Sequence, residues 1–169
     1  MDLKLKVISE SGIAEAITKA EVYRNLNEPE EAESICRDIL AADPSNHAGL
    51  RILGLALTDQ FTGQATDRYA EVEEIFGKLV DPYERAYYTG ILHERRVKAQ
   101  LRAGRPAHSL LPLLEDALRN FAEAEKIRPA GNDDSILRWN RCVRLLQSRP
   151  DFEWQGELVT FEAHDSPPY

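Results

Sequence analysis

Residues 115–129 carry the feature that most restricts the fold of this chain. Ala117, Phe121 and Ala124 recur with helical spacing and Pro129 follows them. That pattern predicts a helix whose small side chains admit a neighbour at close range, whose ring fills the space beside them, and whose end is set by a residue that cannot continue it. A looser copy lies upstream, with Ala32, Cys36 and Ile39 before Asp43-Pro44. Two copies of one helix pattern predict an internally repeated helical array.

Helical periodicity runs through most of the rest. Few segments alternate with period two, and Gly and Pro punctuate the pattern. It predicts seven helices, over residues 11–26, 29–42, 46–60, 67–79, 82–103, 109–128 and 133–147. Asp81-Pro82-Tyr83-Glu84 reads as a capped start, with Pro at the first helical position and Glu84 reaching back to the cap. Gly104 before Arg105-Pro106 stops the fifth helix. Asn132 or Asp133 is expected to cap the seventh. The segment Thr62-Gly63-Gln64-Ala65-Thr66 reads as an inserted loop, and residues 62–81 follow the repeat pattern poorly.

The 169 residues suffice for one domain with a continuous core. A net charge of −8 argues against a general nucleic-acid binder, which needs a basic face. Cys36 and Cys142 both fall in apolar helical patterns, so they are expected as small buried hydrophobes in a reducing compartment. The four histidines have no ligand spacing, and no metal or cofactor is expected. Residues 1–9 are too short and too charged for a signal-peptide core, and no apolar run has the length of a membrane span, so the expected location is cytoplasmic.

The Ala117, Phe121, Ala124, Pro129 signature resembles the second helix of a tetratricopeptide repeat. Leu50, Leu53, Gly54 and Leu57 resemble its first helix, and Tyr23, Ala32 and Pro44 add matches in an earlier unit. Gly90 stands in a plausible small position of a third. The resemblance covers about residues 11–147 with an irregular period, where the family repeats every ~34 residues. It implies an all-α, right-handed superhelix of about three helix pairs plus a closing helix that carries Ile136, Trp139 and Val143. In such a packing Gly54 and Gly90, with Ala32 and Ala117 opposite, allow close approach, while Tyr23 and Phe121 fill the space between adjacent pairs. The implied domain is 1–149, with an acidic aromatic tail at 150–169 folded on it.

Proteins of this family bind partners in a concave groove lined by their first helices. Carried over residue by residue, the groove comprises Ile17, Glu21, Arg24 and Asn25, then Arg51, Leu55, Thr58 and Asp59, then Tyr87, Ile91, Glu94 and Arg95, with Arg141 and Arg144 from the closing helix. The resemblance thus implies a peptide or a partner helix as ligand, with Arg24, Arg51, Asp59, Tyr87, Glu94, Arg95, Arg141 and Arg144 as the contact residues. Some members clamp a C-terminal carboxylate with Lys and Asn; Ile17 and Glu21 stand at two of those positions and neither donates to a carboxylate.

Charge is uneven: residues 1–80 carry net −7, residues 81–150 net +4, and residues 151–169 net −5. Arg138, Arg141 and Arg144 recur every third residue and form a slanting stripe on one helix. An anionic peptide or phosphate would fit such a stripe; the plainer expectation is a solvated face with internal ion pairs. In the tail, Trp154, Leu158 and Phe161 are each worth about 1.5–3 kcal/mol when buried, so part of the tail is expected to fold back as a cover. No Gly-rich phosphate loop, HExxH or GxSxG is present. His93-Glu94 is the nearest acid–base pair, but adjacent helical residues point about 100° apart. The leading expectation is a non-enzymatic protein–protein scaffold. The alternatives are a self-associating module (a homodimer) and, behind it, a small enzyme or ligand-binding protein built on Tyr83, Tyr87 and Tyr88.

Overall fold

The structure, a computed structural model, describes residues 3–156. Among the described residues it is all-helical, with seven α-helices and no strand. They are α1 (Ile13–Asn25), α2 (Pro29–Ala42), α3 (His47–Asp59), α4 (Tyr69–Gly77), α5 (Pro82–Arg102), α6 (Leu111–Lys126) and α7 (Asp134–Ser148). Short 3-10 turns precede α1 and α6 and follow α7. None of these helices is long and apolar enough to cross a membrane. The expected tail residues Leu158 and Phe161 lie outside the described residues.

Local chemistry explains where the helices end. α1 stops in a reversal at Asn27, whose φ of 62° is left-handed; Asn27 N–H donates to the Arg24 carbonyl (3.1 Å) and Glu28 N–H to that of Tyr23 (2.9 Å). Pro29 then opens α2 at a position whose N–H would have no helical partner. The same reversal closes α5 at Gly104, φ 85°, where Arg105 N–H donates to the Gln100 carbonyl (3.0 Å). Asn46 caps α3 by accepting from Gly49 N–H at 2.9 Å. Asn132, rather than Asp133, caps α7: its side-chain oxygen accepts from Asp134 N–H (3.0 Å) and from the Tyr83 hydroxyl (3.1 Å). Asp133 is instead paired with Arg128.

Two expectations about helix ends need correction. Asp81 caps α5 as expected, accepting from Tyr83 N–H at 2.8 Å. Glu84 does not reach back to it; it pairs with His47 and lies 3.7 Å from Arg51, both on α3. The helix α4 begins at Tyr69 and not at 67, because Asp67 is committed to the preceding loop. Its carboxylate accepts from the N–H groups of Thr62 (3.0 Å) and Gly63 (2.7 Å) and from the Tyr69 hydroxyl (2.7 Å). Gly63 has φ 83°, and a Cβ there would stand 2.6 Å from the Ala99 carbonyl oxygen. The loop is therefore pressed directly onto α5.

Each helix packs on its neighbour in sequence, and α1, α3, α5 and α7 also touch in turn. The apolar side chains form two clusters. One joins Ala20, Cys36, Leu53, Leu57, Val72 and Phe76 to Leu92 and Ala99 of α5. The other joins Ile91 and Val97 of α5 to Leu114, Ala117, Phe121, Cys142 and Leu146. Both cysteines are free and buried, and burial pushes each thiol up to about 12.

The two small positions singled out in the sequence meet phenylalanine rings. A Cβ on Gly54 would lie 2.2 Å from the ring of Phe76, and one on Gly90 would lie 2.6 Å from that of Phe121. The α3–α4 and α5–α6 pairs thus use one device, although residues 62–81 break the sequence pattern. Phe121 fills the α5–α6 interface itself, not the space between adjacent pairs, and Tyr23 is only half-buried.

An ionic cluster joins the other face of the first two pairs. Glu33 of α2 accepts two hydrogen bonds from Arg68 (2.7 Å each), one from Arg37 (2.9 Å) and one from Gln60 (2.8 Å). Arg68, then Gln60 and Arg37, hold its carboxyl down to about 2 against the opposing effect of burial.

Two expected outcomes follow from this packing. Gly90→Ala forces a methyl group into the Phe121 ring and should destabilise the fold by about 1–3 kcal/mol. Gly77→Ala, at a site with nothing within 4 Å, should instead stabilise it by about 0.4–1 kcal/mol; urea unfolding of both variants checks the contrast. Because the Glu33 carboxyl is depressed in the folded state, its contribution is complete above the ordinary carboxylate range. It is lost as pH falls from about 4.5 toward 2. The wild type should lose more stability between pH 5 and pH 3 than Glu33→Gln does, as read by urea midpoints.

Candidate interaction surface

Ion pairs cross from helix to helix among α1, α3, α5 and α7, the helices expected to line a groove; Ile91, also expected there, is buried in the cluster with Leu114 and Phe121. Near the start of α5, Arg51 of α3 lies 3.5 Å from Glu21 of α1 and 3.7 Å from Glu84 of α5. His47 also contacts Glu84. Two turns further on, Asp59 of α3 takes Arg24 of α1 at 2.6 Å and Arg95 of α5 on its other oxygen. The Arg95 guanidinium also donates to the Thr58 hydroxyl (2.6 Å) and the Leu55 carbonyl (3.3 Å). Burial, opposed by Asp59, lowers the proton affinity of Arg95 from its ordinary value, but an arginine starts so high that it stays charged.

The last step, from α5 to α7, runs through Glu94. This carboxylate is fully buried; it pairs with Lys98 one turn along α5 and accepts from Arg138 of α7 at 3.4 Å. A buried carboxylate needs such partners, because removing its counter-charges leaves a desolvated anion behind. Glu94 was expected to touch a partner; its complete burial rules out direct contact, and it ties α5 to α7 instead. Tyr87 lies beneath the same face, stacked on Tyr83 at 5.8 Å and edge-on to Tyr88 at 5.1 Å. The three tyrosines form one aromatic stack, which continues through Tyr88 to Phe76 at 5.4 Å and through Tyr87 to Phe121 at 6.1 Å.

The expected contact residues therefore divide. Arg24, Asp59 and Arg95 come together in one contact, and Arg51 joins a second. Tyr87 is half-buried and Glu94 enclosed. Arg141 and Arg144 are exposed, and among the described residues neither has an ion-pair partner. Sequence reasoning missed Glu84 and Lys98 as members of this face. The four-residue spacing of Glu94 and Lys98 is a readable signal. Nothing local marks Glu84, whose partners lie on a different helix.

His93 and Glu94 separate as their spacing predicts. Glu94 turns to α7, while His93 faces the charges of Asp116 on α6, Glu73 on α4 and Arg96 on α5. Burial lowers the His93 proton affinity below its ordinary value, and its Nδ1 has no hydrogen-bond partner in the structure. Among the described residues no group of three His, Cys, Asp or Glu side chains is arranged to hold a metal ion.

The double variant Lys98→Ala/Arg138→Ala strands the Glu94 carboxylate and should cost about 3–5 kcal/mol. Adding Glu94→Gln to that background should restore part of the loss, since a neutral amide needs no counter-charge; thermal and urea unfolding of the double and triple variants measure it. Comparison with known proteins gives this face no precedent: no family model matches the chain, and neither a curated protein nor a solved structure matches it.

Proposed function

We propose that the chain is a protein-interaction module of tetratricopeptide-like architecture, which binds a peptide or a partner helix across the face of α1, α3, α5 and α7. The observation that supports this reading is that α1, α3, α5 and α7 touch in turn while each helix also packs on its neighbour in sequence. Repeated glycine–phenylalanine packing in two helix pairs supports the repeat architecture. The right-handed superhelical course belongs to the same proposal.

The charges of this face suit a scaffold more than a reaction centre. Most are neutralised between helices, which fixes the helices relative to one another and presents a pre-formed surface. The exposed Arg141 and Arg144 extend it beyond the paired region and offer cations to a ligand. Two free, buried cysteines suit a reducing compartment such as the cytoplasm.

Selection from a displayed library of random twelve-residue peptides tests the proposal. Peptides should be enriched by the wild-type chain and lost, by tenfold or more in affinity, with Arg141→Glu/Arg144→Glu. They should be retained with Lys126→Glu, which alters an exposed residue at the end of α6. Enrichment insensitive to the α7 pair, or no enrichment at all, would argue against this surface.

A further inference from the structure

We infer that the chain forms a two-fold dimer in which residues 3–7 of each copy seat in a cleft between α1 and α2 of the other. The first half of the argument is the arm itself. Residues 3–9 form no helix or strand before the turn at Glu10–Gly12. Within them Leu3 is 86%, Leu5 96% and Val7 75% exposed. Leu3, Leu5 and Val7 alternate with Lys4 and Lys6, so an extended course of this segment would set the three on one side. A concentration of exposed apolar side chains of this kind marks an interaction segment.

The second half is a matching receptor. An open cleft of about 460 Å³ is lined by Ile13, Ala14, Ile17, Ala42 and Pro44 together with Glu10 and Asp43. Its apolar side chains suit Leu and Val, and its two carboxylates suit the lysine of an arm that reads Leu-Lys-Leu-Lys-Val. Asp43 is fixed as an anion: its carboxylate accepts from Ser45 N–H (3.1 Å), the Ser45 hydroxyl (3.0 Å) and the Asn46 amide (3.1 Å), which hold it below the ordinary carboxylate range. Lys6 supplies the opposite charge.

The arm does not fill the cleft of its own copy. Ile8 directs it to another side of α1, where Ile8 lines a second cleft with Gly12, Ala16 and Ile35. Pairing two arms with each other is disfavoured by charge. An antiparallel ribbon centred on Leu5 places Lys4 opposite Lys6 twice, and like charges directly opposite are destabilising. Seating each arm in the other copy's cleft avoids that opposition and closes the assembly, since both copies give and receive the same contact.

Sedimentation equilibrium of the full chain tests the dimer, and three exposed positions test its geometry. The wild type should sediment as a dimer at micromolar concentration. Leu5→Glu and Val7→Glu in the arm, and Ala14→Glu in the cleft, should each raise the dissociation constant at least a hundredfold with unchanged helical circular dichroism. Mixing a Leu5→Cys chain with an Ala14→Cys chain should give a disulfide-linked heterodimer under mild oxidation. A monomeric wild type overturns the inference. So does a dimer indifferent to the arm, and so does one that loses affinity with Leu5→Glu but not with Ala14→Glu, which would mean that arms pair with arms. The peptide-binding proposal stands or falls separately, because Arg141 and Arg144 take no part in this contact.

Discussion

The structure depends on how closely α5 is approached by its neighbours. Gly90 lets the Phe121 ring lie against the α5 backbone, and Gly63 lets the loop before α4 touch it at Ala99. Neither contact survives a Cβ without displacement of an aromatic ring or of a main chain. With Ile91 and Val97 on one side and Leu92 and Ala99 on the other, this helix is interior on two faces. Arg95, Lys98 and Arg102 lie along the strip between them, while Arg96 reaches over the Tyr69 ring of α4.

That strip explains the arrangement of charge. On the side shared with α3 and α7, Arg95 and Glu94 of this helix meet polar residues of both neighbours. Asp59 receives arginines from both flanking helices, and Glu94 receives a lysine and an arginine. The bonds are geometrically directed where apolar packing is not. They therefore set the relative rotation of α1, α3, α5 and α7 more sharply than the clusters behind them. Such a surface is held in shape by its own ion pairs.

Much of this was legible in the sequence because the signals are local. Helix existence followed from periodicity, and the turn after α5 from Gly104, which tolerates a left-handed backbone; Asn27, which makes the same turn after α1, was not singled out. Gly54 and Gly90 were recognisable as close-approach positions. The partner of Gly54 was not, since Phe76 lies after an insertion that displaces it from the regular spacing. The candidate surface was readable as a set of positions but not as a set of states. Whether Glu94 faces solvent or lies enclosed depends on Lys98 and Arg138, and the latter belongs to a helix 40 residues further on. Glu84 was misassigned for the same reason: a capping box is a local rule, and two side chains of α3 outcompeted it.

The double membership of α5 also bears on how the array comes apart. Stacked repeats whose units touch only their neighbours can fray from an end, one unit at a time. Here the helix in the middle supplies side chains to both clusters, so melting either one bares half of the other. Loss of one cluster is therefore coupled through α5 to loss of the other. The chain is better described as one keystone with two leaves than as a row of equal links.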